Sequence, residues 1–473
     1  MSKIEVDAID KQSGSTVTIG GSGTNVVLGT CGQTVSLGTG ATQTGFGRTG
    51  TVDWITTPKV TGDSPVTAVT GKGYFLNTTA GAITINLPAG AAGSIVSMAD
   101  YARTWQTNNV TVQPDGLEKI GAQADAARLS TEGQSVTFVY VDSTQGWLNV
   151  QDSTSNIVGA SYIAASVSGS CNTLTTAPDC SNVKVAKFVG PGTFCVSAVG
   201  NPAGSTTVDY LVIGGAGGGG YNSGSPPDQG RGGGGGAGGY RESSGAASGC
   251  YTVSPLGSGV SALPVSVQGY PITVGGGNAT GIPSSPPAVG SNSTFSSITS
   301  NGGGRGGVGP NSPDNRTGTA GASGGGGGTY AGNGPGGAGN TPPVSPPQGN
   351  TGGLGVEGTP AYGGGGGGGA TAVGVAGTTA KGGNGGTGGT SSIDGTPTER
   401  AGGGGGATLA AAPTKGCGTG GGGDGAAYGD APTSGGSGTA NTGGGGGGAG
   451  GPQFGGTGGA GGSGIVIIRY KFQ

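Results

Sequence analysis

The sequence predicts a mainly β protein with little or no α-helix, and three observations lead to this fold class. First, 122 of the 473 residues are Gly and 27 are Pro, and both residues are unfavourable inside helices. Second, apolar and polar residues alternate in short runs such as AITINLP and QSVTFVYVD, which is the period of a half-buried strand. Third, only 27 of the glycines precede residue 214, so the chain has a conventional half and a glycine half.

The composition of the chain also excludes several classes of function. The chain has no His, which removes Ser-His-Asp and Cys-His nucleophiles and His-ligated metals. A net charge of -3 with 9% charged residues offers no basic surface for nucleic acid. No apolar run approaches membrane-spanning length and the N-terminus lacks a signal-peptide core, so we expect a chain that is not membrane-inserted. We also expect a non-enzymatic protein with no metal and no other cofactor.

Residues 1–50 contain a nine-residue repeat marked by Gly20, Gly29, Gly38 and Gly47. Apolar residues two apart in the first three repeats, namely Val17 and Ile19, Val26 and Leu28, and Val35 and Leu37, place both side chains of each pair on one face of a short strand. Such short repeats cannot bury a core alone and stack as a β-solenoid. We therefore predict a stem that several chains share, with a homotrimer favoured. A single meandering sheet is the alternative.

Residues 51–155 carry longer alternating segments separated by turn residues, which predicts a small antiparallel β-sandwich or barrel. Trp54, Trp105 and Trp147 are expected to anchor its core, with carbohydrate stacking as the alternative. Residues 156–213 add strands that lead into the glycine half. Six widely spaced Cys include Cys171 and Cys180, which are the candidate disulfide pair, and reduced thiols are the alternative.

Two apolar, β-branched runs enclose the glycine-rich segment 214–463. VDYLVI stands before it and the closing strand, residues 464–473, contains GIVIIRYKF. Their position predicts that they pair as neighbouring strands, so that both ends of the glycine segment leave one β base. YPITVGGG and NSTFSSITSNGGG are expected to add strands to that base.

Uninterrupted glycine runs within residues 214–463 break the Gly-X-Y rule and exclude collagen. Four of them begin at residues 324, 363, 402 and 443, which are 39, 39 and 41 residues apart. A flexible linker is the alternative. However, apolar strands that are predicted to pair stand at both ends of the segment, and a linker does not require its two ends to meet. Backbone without side chains can pack on itself as polyproline II, whose N–H and C=O groups all point outward to neighbours. We predict a polyglycine II (PGII) bundle with Pro-, Asn- and Asp-rich loops at its ends.

Loops on a rigid scaffold commonly hold recognition residues. The candidate recognition contacts are loop residues that can stack on, or hydrogen-bond to, a sugar or a protein: Tyr221, Asp228, Arg316, Tyr330, Tyr362, Asp394, Arg400 and Tyr428. Capping the ends of the bundle would explain any one Tyr or Arg equally well. The carboxylates of the glycine half show neither the spacing nor the aromatic walls of a glycosidase, so we assign no catalytic residue.

The two ends of the chain resemble known proteins. SKIEVDAIDKQSGSTVTIGGSG with the GRTGTVDW junction resembles the N-terminal part of bacteriophage tail fibers, notably of phages of aquatic bacteria. VDYLVIGGAGGGG, YPITVGGG and GSGIVIIRYKF resemble the glycine-rich domain of phage fibers and receptor-binding adhesins. This resemblance implies a polyglycine II sandwich whose variable tip loops contact the host envelope.

The same resemblance implies a virion protein of the tail fiber, made in the host cytoplasm. Its N-terminus would attach to a phage tail or adaptor protein, and its loops would bind a host surface polysaccharide or an outer-membrane protein. Three alternatives stay open: a purely structural connecting or decorating fiber, a polysaccharide depolymerase fiber, and an ice-binding glycine bundle.

Overall fold

The computed structural model describes residues 52–153, 160–202, 204–222, 230–249, 251–282, 287–309, 313–409, 414–428, 430, 433–450 and 456–473. The predicted stem, residues 1–50, lies outside them. The chain divides into two compact units, residues 1–157 and 158–473. Strands make up 33% of the residues and short 3-10 turns 2%, which confirms the mainly β fold class. No α-helix forms in the described ranges.

The first unit consists of two sheets. Its strands are β1 (Asp53–Val60), β2 (Val66–Thr67), β3 (Lys72–Asn77), β4 (Ile83–Asn86), β5 (Ile95–Asp100), β6 (Val110–Gln113), β7 (Ala127–Leu129), β8 (Ser135–Asp142) and β9 (Gly146–Ser153), with a 3-10 turn at Thr61–Asp63. One sheet has the order β1-β3-β5-β8-β9 and the other the order β2-β4-β6-β7. Neither sheet of these described residues closes into a barrel.

Strand direction in this unit differs from the antiparallel arrangement that the sequence predicts. β1, β3 and β5 are parallel neighbours, and so are β2, β4 and β6. The chain therefore winds through both sheets three times before the antiparallel strands β7, β8 and β9 close them. Alternation of apolar residues specifies the buried face of a strand but not its direction, so the sequence pattern could not distinguish the two.

The core of the first unit lies between its two sheets. Leu76 and Val96 from one sheet pack with Ile85 and Val112 from the other, all fully buried. Trp105 and Trp147 are also fully buried, as predicted. Trp54 is 39% exposed, with its ring centroid 4.9 Å from that of Phe75, so it does not anchor the core.

The second unit begins with a two-sheet base. Its strands are β10 (Ala164–Val167), β11 (Thr173–Ala177), β12 (Cys180–Phe188), β13 (Gly192–Ala198), β14 (Thr207–Ile213), β15 (Tyr240–Glu242), β16 (Leu263–Pro264), β17 (Gly269–Thr273), β18 (Ser293–Phe295), β19 (Ile298–Ser300), β20 (Gly389–Ser391), β21 (Thr398–Arg400) and β22 (Ile465–Lys471). The 3-10 turns are Pro255–Gly257 and Pro313–Arg316. The sheets run β10-β13-β17-β18-β19 and β11-β12-β22-β14-β15, with β16 on β14, and β20-β21 is a separate hairpin.

The two strands that enclose the glycine segment are neighbours, as predicted. β14 pairs antiparallel with β22, with Asp209 opposite Arg469 and Ile213 opposite Ile465. The runs YPITV and STFSSITS form β17, β18 and β19 in the other sheet of the base. Apolar residues from both sheets, among them Phe188 and Phe295, meet in one buried core. Both ends of the glycine segment therefore leave the same folded base.

The glycine segment forms a bundle around one central PGII helix, residues 231–239. Three consecutive residues donate their backbone N–H to three different neighbours: Gly233 to Gly307 at 2.8 Å, Gly234 to Gly365 at 2.9 Å and Gly235 to Gly446 at 2.7 Å. Gly236 and Ala237 then return to the first two neighbours, at Gly304 and Gly368. A partner that recurs every third residue is the signature of a helix with three residues per turn.

PGII helices are arranged in layers around this centre. An inner layer of six surrounds it: 214–222, 302–309, 322–329, 363–370, 401–408 and 443–450. Neighbours in that layer are bonded in a closed ring, through Gly306 to Gly218, Gly307 to Gly326, Gly365 to Gly327, Gly367 to Gly404, Gly448 to Gly405 and Ala449 to Gly220. An outer layer follows: 275–281, 287–291, 317–321, 334–340, 348–356, 372–378, 381–388, 414–419, 422–428, 433–439 and 456–464. Seen along its axis, the bundle is a hexagonal array.

The glycine content of each helix follows from its layer. A helix with neighbours on every side has no room for side chains, and a Cβ added to Gly234 would lie 2.0 Å from the carbonyl oxygen of Gly404. Outer helices tolerate a side chain at every third position, as at Lys381, Asn384 and Thr387, between buried glycine pairs. The long glycine runs are therefore inner helices. Their 39- to 41-residue spacing is the length of a passage through the outer layer and back.

The candidate bridge between Cys171 and Cys180 does not form, because Cys171 is a free thiol. They lie at opposite ends of the β11–β12 hairpin, because Ala177 pairs with Cys180 near the turn while Thr173 pairs with Lys187 at the open end. At about 3.3 Å per residue the two Cys are roughly 20 Å apart. A disulfide requires Cα atoms within about 7 Å.

Candidate functional site

The direction of the PGII helices defines a distal end of the bundle, away from the base. The helix 214–222 starts at the end of β14 and runs outward, and the central helix returns to β15 at Tyr240. Because their neighbours pair with them in register, the helices that end at residues 309, 329, 356 and 408 also end on this distal side. The bundle thus gathers loops from distant parts of the sequence on one surface.

Five of the predicted contact residues lie at the distal end: Tyr221, Arg316, Tyr330, Tyr362 and Tyr428. Tyr428 is 48% exposed, whereas Tyr221 is only 5% exposed. Arg316, Tyr330 and Tyr362 are half-buried. Tyr428 is therefore the most accessible of the five. Asp228 lies outside the described residues.

Hydrogen bonds connect several of these residues. The Arg316 Nη1 donates to the backbone oxygens of Tyr330 at 3.0 Å and Ala331 at 3.2 Å, so this guanidinium fixes the turn that carries Tyr330. Thr329 donates through Oγ1 to the backbone oxygen of Tyr362 at 3.4 Å. Arg316 and Tyr362 therefore shape the distal surface through backbone contacts, and the structure brings Arg316 and Tyr330 together.

A buried cation lies at the distal end of the central helix. Arg231 is fully buried, and its Nη1 donates to the oxygen of Gly230 at 2.7 Å. Its Nε and Nη2 have no hydrogen-bond partner in the described part of the chain. Burial lowers the pKa of Arg231 to about 10, because the interior disfavours the charged form. Arg231 is thus a covered part of the distal end that ligands do not reach directly.

Asp394 and Arg400 lie at the opposite end of the bundle, beside the base. Arg400 Nη2 bonds to Asp394 Oδ2 at 2.8 Å, and Lys187 of β12 bonds to the same oxygen at 2.9 Å. Burial alone would raise the pKa of Asp394, but the charges of Arg400 and Lys187 outweigh it and hold that pKa below its ordinary value. Both side chains are over nine-tenths buried, and their role in the structure is to dock the β20–β21 hairpin on the base.

A polar cleft opens on the flank of the bundle next to its distal end. It has a volume of about 560 Å³. Three outer helices form it: 414–419 contributes Lys415, 422–428 contributes Asp424, and 433–439 contributes Ser434 and Ser437. Asp430 also lines it, and glycines make up the rest of the lining. We refer to this feature as the flank cleft.

Existing bonds hold the side chains of the flank cleft in place. Asp424 Oδ1 accepts the N–H of Gly418 at 2.9 Å. Asp430 Oδ2 accepts the N–H of Ala427 at 2.9 Å and lies 3.5 Å from Lys415 Nζ. These residues are therefore oriented before any ligand arrives.

Sequence reasoning did not find the flank cleft, because its residues come from three helices that are neighbours only in the folded bundle. A signal was present in the Ser434 and Ser437 pair, since a three-residue spacing places both hydroxyls on the same face of a PGII helix. Among the described residues, no cluster of Cys, Asp or Glu has the arrangement of a metal site.

The fold and this site define a class of protein: a two-sheet β base that carries a layered PGII bundle with loops at its far end. The family model described as Glycine-rich domain matches residues 189–471, which is more than half of the chain, and the chain belongs to that family. The match begins one residue after β12, although β12 pairs with β22, so the folded unit extends upstream of the family region. A search of curated proteins found no match. In the part of the chain that the structure describes, no helix is long and apolar enough to span a membrane.

Proposed function

We propose that the chain is a bacteriophage tail fiber subunit that attaches to the virion through its N-terminal residues and binds a host receptor at the distal end of its glycine bundle. The partners in this proposal are a phage tail or adaptor protein, two further copies of the chain, and a host surface polysaccharide or outer-membrane protein. The protein acts by adhesion, without catalysis.

One observation carries the proposal. The hydrogen-bonded PGII lattice is a rigid scaffold that collects loops from across about 200 residues on one surface, remote from the base where both ends of the segment enter. Loops held on a rigid scaffold are suited to recognition. Such loops have little conformational freedom before binding, so binding costs little conformational entropy. The resemblance to phage adhesins points to the same end of the molecule.

The test is saturable binding of the fluorescently labelled full chain to a panel of aquatic bacterial isolates, followed by competition with phage adsorption. Tyr428→Ala removes the most exposed aromatic ring among the distal candidates. Tyr101→Ala is the matched control, because Tyr101 is 55% exposed in the first unit. We expect Tyr428→Ala to weaken binding at least tenfold and Tyr101→Ala to leave it unchanged.

Two results would count against the proposal. If the full chain bound no isolate and competed with no phage, a connecting or decorating fiber would be the better assignment. If cell-surface polysaccharide became shorter during incubation, a depolymerase would replace simple adhesion.

A further inference from the structure

The flank cleft combines hydrogen-bond donors and acceptors that have no partner in the part of the chain that the structure describes. Asp424 uses only Oδ1 toward Gly418 and Asp430 uses only Oδ2, toward Ala427 and Lys415. Among the described residues, the other carboxylate oxygen of each has no bonded partner and can accept a hydrogen bond from a ligand. Both carboxylates thus present an oriented acceptor.

The two serines offer the complementary groups. Ser434 Oγ accepts from Thr457 Oγ1 at 2.7 Å, and Ser437 Oγ accepts from the N–H of Ala460 at 3.4 Å. Because each hydroxyl oxygen is already an acceptor, its hydrogen remains available to a ligand. Lys415 Nζ supplies further donors, since it has three N–H groups and its contact with Asp430 uses one of them.

The mixture of hydrogen-bond donors and acceptors in the flank cleft favours a sugar over an inorganic anion or a divalent cation. An inorganic anion needs donors and would meet two carboxylates, while a divalent cation needs several oxygens and would meet the ammonium of Lys415. A sugar hydroxyl both donates and accepts, so a polyol can pair with both kinds of group at once. The side chains sum to one negative charge, which disfavours acidic sugars.

The size and lining of the cleft agree with this choice. A volume of about 560 Å³ is within the range of small-molecule sites, roughly 300–1,000 Å³. The glycine floor at Gly422, Gly423 and Gly425 lets a ligand approach the backbone closely. Tyr428, which is exposed and two residues before Asp430, is an aromatic ring close by in the chain.

From this geometry we infer that the flank cleft binds a neutral saccharide, through Asp424, Asp430, Ser434, Ser437 and Lys415. The inference deepens the proposed adhesive function and rests on it for its biological meaning. It assigns the sugar contact to the side of the bundle, next to the distal loops, and it selects an uncharged polysaccharide as the receptor class.

The experiment applies the full chain to an array of neutral hexose and N-acetylhexosamine oligosaccharides, with sialylated and sulfated glycans beside them. The best neutral glycan is then titrated by isothermal calorimetry. The test variant is the double substitution Asp424→Asn with Ser437→Ala. The first change replaces a carboxylate oxygen, which accepts, with an amide NH2, which donates, and the second removes a hydroxyl donor. Both changes keep the side-chain volume nearly the same. The control makes the corresponding changes away from the cleft, as Glu357→Gln with Thr387→Ala.

We expect retention of neutral glycans, no retention of acidic ones, and affinity at least tenfold weaker in the test variant than in the control. Thermal unfolding of both variants checks that the bundle is intact. No neutral glycan retained, or equal affinity in test and control variants, would overturn the inference. Cell binding separates the two proposals: if cells are bound equally by the test variant, the cleft inference fails while adhesion stands. If glycans are bound but no cells are, the adhesive function fails instead.

Discussion

The substitution Gly234→Ala probes the central helix, where side-chain-free packing is most demanding. A Cβ there would lie 2.0 Å from the carbonyl oxygen of Gly404 and 3.0 Å from the backbone nitrogen of Gly367. Relieving the contact requires the helices to separate by more than about 1 Å, which stretches 2.9 Å hydrogen bonds from Gly234 to Gly365 and from Gly404 to Gly235 beyond bonding range.

The energetic cost follows from those broken bonds. Each lost backbone hydrogen bond costs about 0.5–1.5 kcal/mol, and each buried group left unsatisfied costs about 1–3 kcal/mol. We therefore expect Gly234→Ala to destabilise the second unit by about 3–6 kcal/mol. Gly276→Ala is the matched control on an outer helix, because a Cβ there meets nothing within 4 Å. That change should fall within about 1 kcal/mol of zero and on the stabilising side, since Ala restricts the unfolded chain.

Urea unfolding with two optical probes measures both units in one sample. All three Trp residues precede residue 158, so tryptophan fluorescence follows the first unit alone. Near-ultraviolet circular dichroism reports the buried aromatic residues of both units, and the second unit contributes tyrosines such as Tyr210 and Tyr240. The tyrosine transition of the second unit is therefore the change that remains once the transition seen by tryptophan fluorescence is subtracted. Gly234→Ala should shift only the tyrosine transition. An unshifted tyrosine transition, or an equal shift for Gly276→Ala, would refute the packing argument.

Three further predictions concern the base. Burial raises the pKa of Glu242, so folding favours its protonated form, and the stability it contributes is lost as pH rises from about 4.5 through the raised pKa. Glu242→Gln should flatten that decline in urea midpoints measured between pH 4 and 8, and an unchanged slope would contradict it. Asp394→Asn leaves Arg400 without its buried counter-charge and should cost about 3–5 kcal/mol in the same unfolding assay, whereas a loss below 1 kcal/mol would show that the pair is dispensable. Cys171 should react with iodoacetamide in unreduced, urea-unfolded protein, as the mass of the tryptic peptide 129–184 and its fragments would report, and an unalkylated Cys171 would contradict the free thiol.

Much of the second unit could be predicted from sequence, because its segments have extreme compositions, either strongly apolar and β-branched or almost pure glycine. The apolar β-branched runs at β14 and β22 have one natural place, side by side in a buried sheet. The uninterrupted glycine runs have one packed conformation available. The outer layer was harder to predict, because a helix such as 456–464 shows only glycine pairs separated by Thr457, Ala460 and Ser463, and that pattern is meaningful only once the inner layer is known.

Other features depend on distance in space and leave little local trace. Strand direction in the first unit is set by the way the chain winds between two sheets, and the alternating pattern is the same for either direction. The loops that contain Asp394 and Tyr428 are similar in composition, yet they lie at opposite ends of the bundle. A helix that runs away from the base ends at the distal end, and a helix that runs back ends beside the base. The flank cleft needs three helices at once, so no single segment predicts it.

The scarcity of side chains inside the bundle also determines its response to temperature. Unfolding a conventional core exposes apolar surface, which raises the heat capacity, whereas exposing peptide groups lowers it. The central and inner helices bury almost only backbone, so their unfolding should have a heat-capacity change well below that of an ordinary domain of the same length. A small heat-capacity change makes the free energy of unfolding vary little with temperature. Such a bundle should therefore stay stable in cold water, where the hydrophobic contribution to stability decreases.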